Sequence, residues 1–475
     1  MRFFIHRFLF GQKLTKGKNK EVKGEKTPTL KRSLAPYYSS MVTFLLFLAL
    51  MLLTVVDIRR GFLFSSDYFK VGVPAVVLNL HLGHLPLLLI GGLSVWLAYR
   101  WMTGLEKGLK GRRLNLKTPT MILAIVIGAL LVIDLFTYRG VPTERFLEAG
   151  EMGSGPGPMG IGRTIPIANL PWWLQPLGEG INYLLVVWHA ATLSMFIGGL
   201  FLVAAGAGLM AKLQSRGFGS HLAGVALALP QPFCSCCAAP IGGALYRKGA
   251  SLGPVLAFTI ASPMLNITAI ILAASLLPTE FALLRIAGGV IVAVFLTYIV
   301  SLIASRWITA EETEIKHDRL LSWSTKLMTA YSRLFNFEKL VSQGTPNSPT
   351  ALIADWLRMT GRLAKIVIPI LLVTASLTAY AVQAMPDTGN NLFGVIITSF
   401  FGTLLMVPTW TEIPFAAGMI AKGFPAIAAT ALLVLPAVSI PCLIIIAGAV
   451  GRTRVAITTG LAVFAVGIVA GIIFL

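Results

Sequence analysis

Residues 234–237 read Cys-Ser-Cys-Cys, so three of the chain's four cysteines fall within one short apolar stretch framed by Pro232 and Pro240. Thiols this close can share one soft ligand or oxidise together. As thiolates they suit trivalent arsenic or antimony, Cu(I) and zinc. A trivalent organometalloid with two exchangeable positions is matched by a pair of thiolates, and a transported ligand must also leave. Cys234 and Cys236 therefore read as transient metalloid ligands, with Cys237 auxiliary and Ser235 between them. Cys442, alone in another apolar segment, reads as an inert small residue. Glu412 is a single carboxylate in an apolar segment. Carboxylates there are costly and usually functional, and burial favours the protonated form, so Glu412 reads as a proton-coupling group. Asn266, Thr409, Thr411 and Ser439 read as polar lining of the same cavity, with interhelical packing as the alternative role of each.

The surroundings of the cysteines return downstream. Pro240, Lys248 and Gly249 match Pro414, Lys422 and Gly423, all at an offset of 174 residues. After each set comes a long apolar run interrupted by proline, Ala-Ser-Pro263 in one copy and Leu-Pro436 in the other. Pro232, Pro240, Pro263, Pro408, Pro414 and Pro436 are expected to act as helix breaks. The chain reads as a duplication in which one copy carries the thiols.

Positioning such residues falls to membrane helices. The chain is 56% hydrophobic and 12% charged, with a mean hydropathy of +0.80, whereas soluble domains carry about 25% charged residues. Eleven apolar segments follow one another, at 41–57, 72–99, 119–138, 181–210, 222–246, 252–277, 282–305, 364–385, 392–421, 425–450 and 455–475. Most are long enough to cross a bilayer. The net charge of +20 is no nucleic-acid signal. The first 38 residues hold ten Lys and Arg against two Glu, which reads as a cytoplasmic N-terminus.

Charge also decides how many segments span. If all eleven do, Arg247, Lys248 and the basic stretch 306–363 fall outside, against the positive-inside rule. If 222–246 and 392–421 are re-entrant hairpins, these groups return to the cytoplasm and only Lys422 is misplaced. The expected fold is therefore an all-α polytopic membrane protein with nine spans and two hairpins. Each copy then has three spans and one hairpin, an odd number of crossings, so the second copy is inverted, as in many secondary transporters. The expected organisation is a basic cytoplasmic tail (1–39), three accessory spans (40–140), a Gly/Pro-rich external loop (141–177), a first permease repeat (178–306), a cytoplasmic linker (307–360) and a second repeat (361–475).

Other ionisable groups read as structural. His81 and His84 suggest interfacial hydrogen bonding, and His189 a packing role. Asp57 and Asp134 are placed at the external ends of their spans, where water would solvate them. Trp172-Trp173 reads as an interfacial anchor.

These motifs resemble the predicted-permease family once called domain of unknown function 318, which includes the ArsP-type organoarsenical efflux permeases. The resemblance rests on Cys234-Ser235-Cys236 with Pro240, on Gly249-Ala250-Ser251-Leu252-Gly253 and on Ala261-Ser262-Pro263. In the second half it rests on Glu412-Ile413-Pro414 and Pro436-Ala437-Val438-Ser439. It covers about 178–475. The chain departs from the pattern at Cys237, where the family commonly has glycine, and in its three N-terminal spans.

The expectation is a multi-pass plasma-membrane permease rather than an enzyme. It would be secondary-active and export a thiophilic metalloid or organometalloid. Its partners would be the lipid bilayer and its small-molecule or metalloid substrate, with no nucleic acid and no cofactor. Two alternatives remain open, a permease for sulfur-containing or other small solutes and a membrane thiol oxidoreductase using Cys234 and Cys237. No Walker A loop is present, which argues against ATP-driven transport by this chain alone.

Overall fold

The computed structural model describes residues 27–60, 80–111, 116–149, 166–204, 207–230, 233–310, 346–383, 388–407 and 412–475. Pro232, Pro408, Thr409 and Thr411, much of the N-terminal tail and much of the linker lie outside these residues. Among the described residues the fold is all helix.

The helices are α1 (Thr27–Arg60), α2 (His84–Gly111), α3 (Lys117–Ala149), α4 (Gln175–Ala204), α5 (Ala207–Gln214), α6 (Phe218–Ala228), α7 (Ser235–Arg247), α8 (Leu252–Met264) and α9 (Ile267–Leu276). There follow α10 (Thr279–Val290), a π-helical turn (Ile291–Leu296), α11 (Thr297–Ala310), α12 (Pro349–Gln383), α13 (Leu392–Leu404), α14 (Glu412–Ala421), α15 (Pro425–Ala437), α16 (Ile440–Val450) and α17 (Thr453–Ile473). Seven helices or continuous helical runs are long and apolar enough to cross a membrane, and up to nine if two bent pairs each count as one. The bent pairs lie within α4, with a 60° bend, and at the α8–α9 junction, with a 42° bend. Each of the seven, and each bent pair, overlaps one of the segments read as spans, although His84–Leu109 lies further along the chain than 72–99 and Pro349–Thr378 starts before 364–385. Helix α12 begins at Pro349, inside the stretch read as linker.

Segments 222–246 and 392–421 are each divided between two short helices, α6 with α7 and α13 with α14. Both ends of each segment meet. Ser251 donates its N–H to the Leu213 carbonyl at 2.8 Å and its hydroxyl to the Ser215 carbonyl at 2.6 Å, closing the base of the first hairpin. The Ala426 N–H donates to Asn390 Oδ1 at 3.0 Å at the base of the second. Each chain segment therefore returns to where it began. At the exits, Gly249 (φ 99°) and Gly423 (φ 81°) take the left-handed conformation that closes a helix. The bonds repeat as well: Gly249 to Tyr246 O and Ala250 to Leu245 O, then Gly423 to Ile420 O and Phe424 to Met419 O. Both copies run long helix, two short helices, broken helix and long helix, with α5 an addition to the first.

Close packing seats the hairpins. A Cβ on Gly224 of α6 would lie 2.3 Å from the Pro254 carbonyl oxygen of α8, so those two helices touch backbone to backbone. Helix α14 buries Ile413 and Ala416 among Ala269, Ala428, Ala429 and Leu432.

The accessory helices are tied in by buried polar groups. Glu106 on α2 accepts hydrogen bonds from Tyr37 Oη at 2.8 Å, from Thr350 N at 2.9 Å and from Thr350 Oγ1. A carboxylate thus sits at the N-terminus of α12, where the helix dipole favours negative charge. Asp57 and Asp134 correct the sequence reading, because both are buried rather than solvated. Asp57 Oδ2 lies 2.5 Å from His84 Nε2, and Asp134 Oδ1 lies 3.6 Å from His189 Nε2. Each carboxylate faces an imidazole from the next helix, at hydrogen-bond distance for Asp57 and in a longer contact for Asp134. His84 Nδ1 also accepts the His81 N–H at 2.9 Å.

Candidate functional site

Cys234 is the N-cap of α7, and Ser235, Cys236 and Cys237 make its first turn. A helical first turn brings i, i+2 and i+3 side chains around one end of the axis. The three sulfurs lie within 4.8 Å of one another, with Cys234 Sγ 2.9 Å from Cys236 Sγ and 3.0 Å from Cys237 Sγ. Cys234 is half-buried, and Cys236 and Cys237 are buried. The Cys234 carbonyl accepts the N–H groups of Cys237 and Ala238, both at 3.0 Å.

Pro240 does not interrupt its helix, and neither does Pro414. Pro240 lies inside α7, and Pro414 falls in the first turn of α14, where a missing N–H costs nothing. Because residue 240 has no N–H, the Cys236 carbonyl lacks its helical donor and is left as an acceptor beside the thiols. Pro263 and Pro436 do stand at breaks, one residue before the last residue of α8 and of α15. The breaks fall at Leu265-Asn266 in the first copy and at Val438-Ser439 in the second. Asn266 is buried, and its carbonyl accepts the Ile270 N–H at 3.0 Å, opening α9. Ser439 is the buried N-cap of α16. Cys442 follows it by one turn and is fully buried.

The two copies contact each other reciprocally. The tip of the first hairpin meets the break of the second copy: Ser235 Oγ lies 3.2 Å from Ser439 Oγ. The tip of the second meets the break of the first through a residue the sequence reading missed. Arg285 on α10 is wholly buried and donates through Nη1 to the Met264 carbonyl at 2.8 Å. Through Nη2 it donates to the Pro263 carbonyl at 3.2 Å and to Glu412 Oε1 at 3.1 Å. Glu412 opens α14 and is itself buried. Among the described residues its hydrogen-bond partner is Arg285, not a thiol. The guanidinium caps the carbonyls left unpaired where α8 ends, and its charge is matched by the carboxylate.

Arg285 could have been found. It is the single charge in the apolar run 281–305, and the rule that singled out Glu412 applies to it equally. A second residue went unread. His221 on α6 is buried and places Nε2 2.8 Å from the Val294 carbonyl and 3.1 Å from Thr297 Oγ1. Val294 lies in the π-helical turn, where the altered register frees carbonyls from helical bonding. The span 279–310 thus holds the first hairpin through its π-turn and the second through Arg285. The basic pair after the first tip caps neighbouring helices. Arg247 Nη2 donates to the Gly448 carbonyl at 3.1 Å, near the end of α16, and Lys248 Nζ donates to the Leu202 carbonyl of α4.

A helical bundle of this kind, with seven to nine helices long and apolar enough to cross a bilayer, is that of a polytopic membrane protein. Residues 181–475 match the family described as predicted permease, and the chain belongs to that family. It is similar to UPF0718 protein YraQ of Escherichia coli (strain K12), at 27% identity over 353 residues, covering 73% of this chain and 91% of that protein. It is also similar to UPF0718 protein MJ0584 of Methanocaldococcus jannaschii, at 26% identity over 286 residues, covering 50% of this chain and 78% of that protein. No solved structure matches the chain.

Proposed function

We propose that the protein is a secondary-active permease that exports a thiophilic metalloid or organometalloid species, handled transiently by Cys234 and Cys236. The observation that carries this reading is the set of three sulfurs within 4.8 Å at a helix N-terminus, on a hairpin tip that touches the broken helix of the other copy. The Cys236 carbonyl, which lacks its helical donor, offers a further acceptor, and half-buried Cys234 is the point of entry. Cys237 is auxiliary.

The transport reading assigns the two copies opposite orientations in the bilayer. In its support, each hairpin closes on its own base, and each copy contributes three spans besides the hairpin. Inverted repeats place a substrate site where their broken elements meet. Glu412 is the proton-coupling group of this mechanism, with the electrochemical gradient as driving force. Asn266 and Ser439 line the path at the two breaks, and Thr409 and Thr411 adjoin it in sequence.

Equilibrium binding tests the reading. Purified protein in detergent is titrated with phenylarsine oxide, a trivalent arsenical with two exchangeable positions, and free thiols are counted. Binding of one equivalent with loss of two free thiols, abolished by Cys234→Ser or Cys236→Ser, is expected. Wild-type binding in both variants would sink the assignment. A second reading has one observation in its favour, since Cys234 and Cys237 stand close enough to oxidise together. A membrane thiol oxidoreductase would cycle that pair with a two-electron partner, and steady-state turnover of a quinone or dithiol would select it.

A further inference from the structure

Two tip-to-break contacts join the halves of the molecule, and they differ in kind. One is a neutral hydroxyl pair, Ser235 with Ser439. The other is a buried ion pair, Arg285 with Glu412 at 3.1 Å, with 0% and 1% of the side chains exposed. Charges at such depth are retained where they do something, and a buried pair is a poor way to gain stability, since apolar residues of the same size serve as well. Space has been left for this one: a Cβ on Gly289, one turn beyond Arg285, would lie 3.2 Å from the Met264 carbonyl oxygen and 3.4 Å from Arg285 Nη1.

We propose that Arg285 and Glu412 form a proton-released latch between the two halves, closed while Glu412 is ionised and opened when it is protonated. The inference rests on the permease reading and on Glu412 as coupling group, and is independent of the thiols.

The charges around the pair favour this role. Helices α9 and α15, which pack against α14, carry no ionisable side chain, and neither does α8. The other ionisable group of α10, Glu280, is exposed at that helix's start. Arg285 is therefore the one charge facing Glu412 among these elements. A guanidinium keeps its proton at all relevant pH, so the proton can go only to the carboxylate. When Glu412 takes it, the attraction is lost and Arg285 keeps an uncompensated positive charge. That charge is tolerable only if water or an anion reaches it. Proton binding and opening of the second tip are thus linked thermodynamically, and each favours the other. The Ser235–Ser439 contact carries no charge and does not respond. One contact yields to protons and the other does not, which gives the two openings of an alternating-access cycle different pH dependences.

Hydrogen–deuterium exchange of the full chain in lipid nanodiscs, followed on peptides from α8 and α14 and corrected for intrinsic rates, tests the latch. As pH is lowered from neutral to below the ordinary carboxylate range of about 4, the amides at the end of α8 and the start of α14 are expected to exchange about 100-fold faster or more, the scale set by uncoupling one partner of a buried pair. Glu412→Gln should exchange fast at both pH values, whereas Glu412→Asp and Glu280→Gln should keep the response. Should Glu412→Gln fail to fold, the wild-type and Glu412→Asp profiles decide alone. A wild-type profile indifferent to pH, or an unchanged response in Glu412→Gln, overturns the latch. Cys234→Ser must keep the pH response while losing phenylarsine oxide binding. If it binds the arsenical like wild type, the substrate reading fails and the latch stands.

Discussion

Replacing Gly224 by alanine adds one methyl group where helix α6 touches the backbone of α8. The new Cβ would lie 2.3 Å from the Pro254 carbonyl oxygen, 2.6 Å from its Cα and 2.8 Å from its carbonyl carbon. Non-bonded carbon contacts settle at about 3.5–4.0 Å. All three atoms are backbone, so no side chain can swing aside, and the helices must part by roughly 1 Å to restore such contacts. Overpacking of this kind costs about 1–3 kcal/mol. Alanine returns up to about 1 kcal/mol through its better helix propensity, so the net effect is destabilising by roughly 0–2 kcal/mol. Gly418 in α14 is the control, because nothing lies within 4 Å of the position its Cβ would take. There the same substitution gains the propensity term without a clash. Thermal unfolding in one detergent, followed by intrinsic fluorescence, should place Gly224→Ala below wild type and Gly418→Ala at or above it. Because α6 carries the chain to the thiol tip, Gly224→Ala should also weaken arsenical binding. Equal stability of the two variants would refute the close approach of α6 and α8.

Cysteines introduced at positions 215 and 251 in a variant without native cysteines should react with an impermeant maleimide from the same side of the membrane, and one at Lys422 from the opposite side; labelling of all three from one side would remove the inversion. Glu106→Gln keeps the shape but loses the charge that caps α12, and should weaken docking of the accessory helices by about 1–3 kcal/mol, read as faster amide exchange in the first turn of α12. His221→Ala removes the donor to the Val294 carbonyl and should destabilise by a similar ~1–3 kcal/mol, while His221→Asn, which keeps a donor, should recover part of it.

Much of the helix layout is legible in the sequence because a membrane span demands a long apolar run. The prolines and the basic groups at 247 and 248 pointed to hairpins, and the bonds from Ser251 to Leu213 and Ser215 close the first of them. The matched glycines at 249 and 423 carried the repeat, since only a left-handed turn needs glycine there. What stayed hidden depends on pairing across long separations. Arg285 sits 127 residues from Glu412, and its apolar neighbours mask it in any average over the span. Asp57 and Asp134 looked solvated because each stands near the end of its apolar segment, and only the packed bundle shows the imidazoles that cover them. Glu106 meets Thr350 at a separation of 244 residues, beyond the reach of any local pattern. The thiol cluster was the easy part, being contiguous, and its geometry follows from a helix beginning at Ser235.

The central claim is that thiols on the first hairpin tip carry a thiophilic substrate across the membrane, and flux measures it most directly. Full-length protein is reconstituted into proteoliposomes, and uptake of a trivalent methylated arsenical is followed with and without an imposed pH gradient. The account predicts protein-dependent flux driven by the gradient, lost in Cys234→Ser and in Cys236→Ser and kept in Cys442→Ser. Undiminished flux in a variant lacking both Cys234 and Cys236 would contradict it.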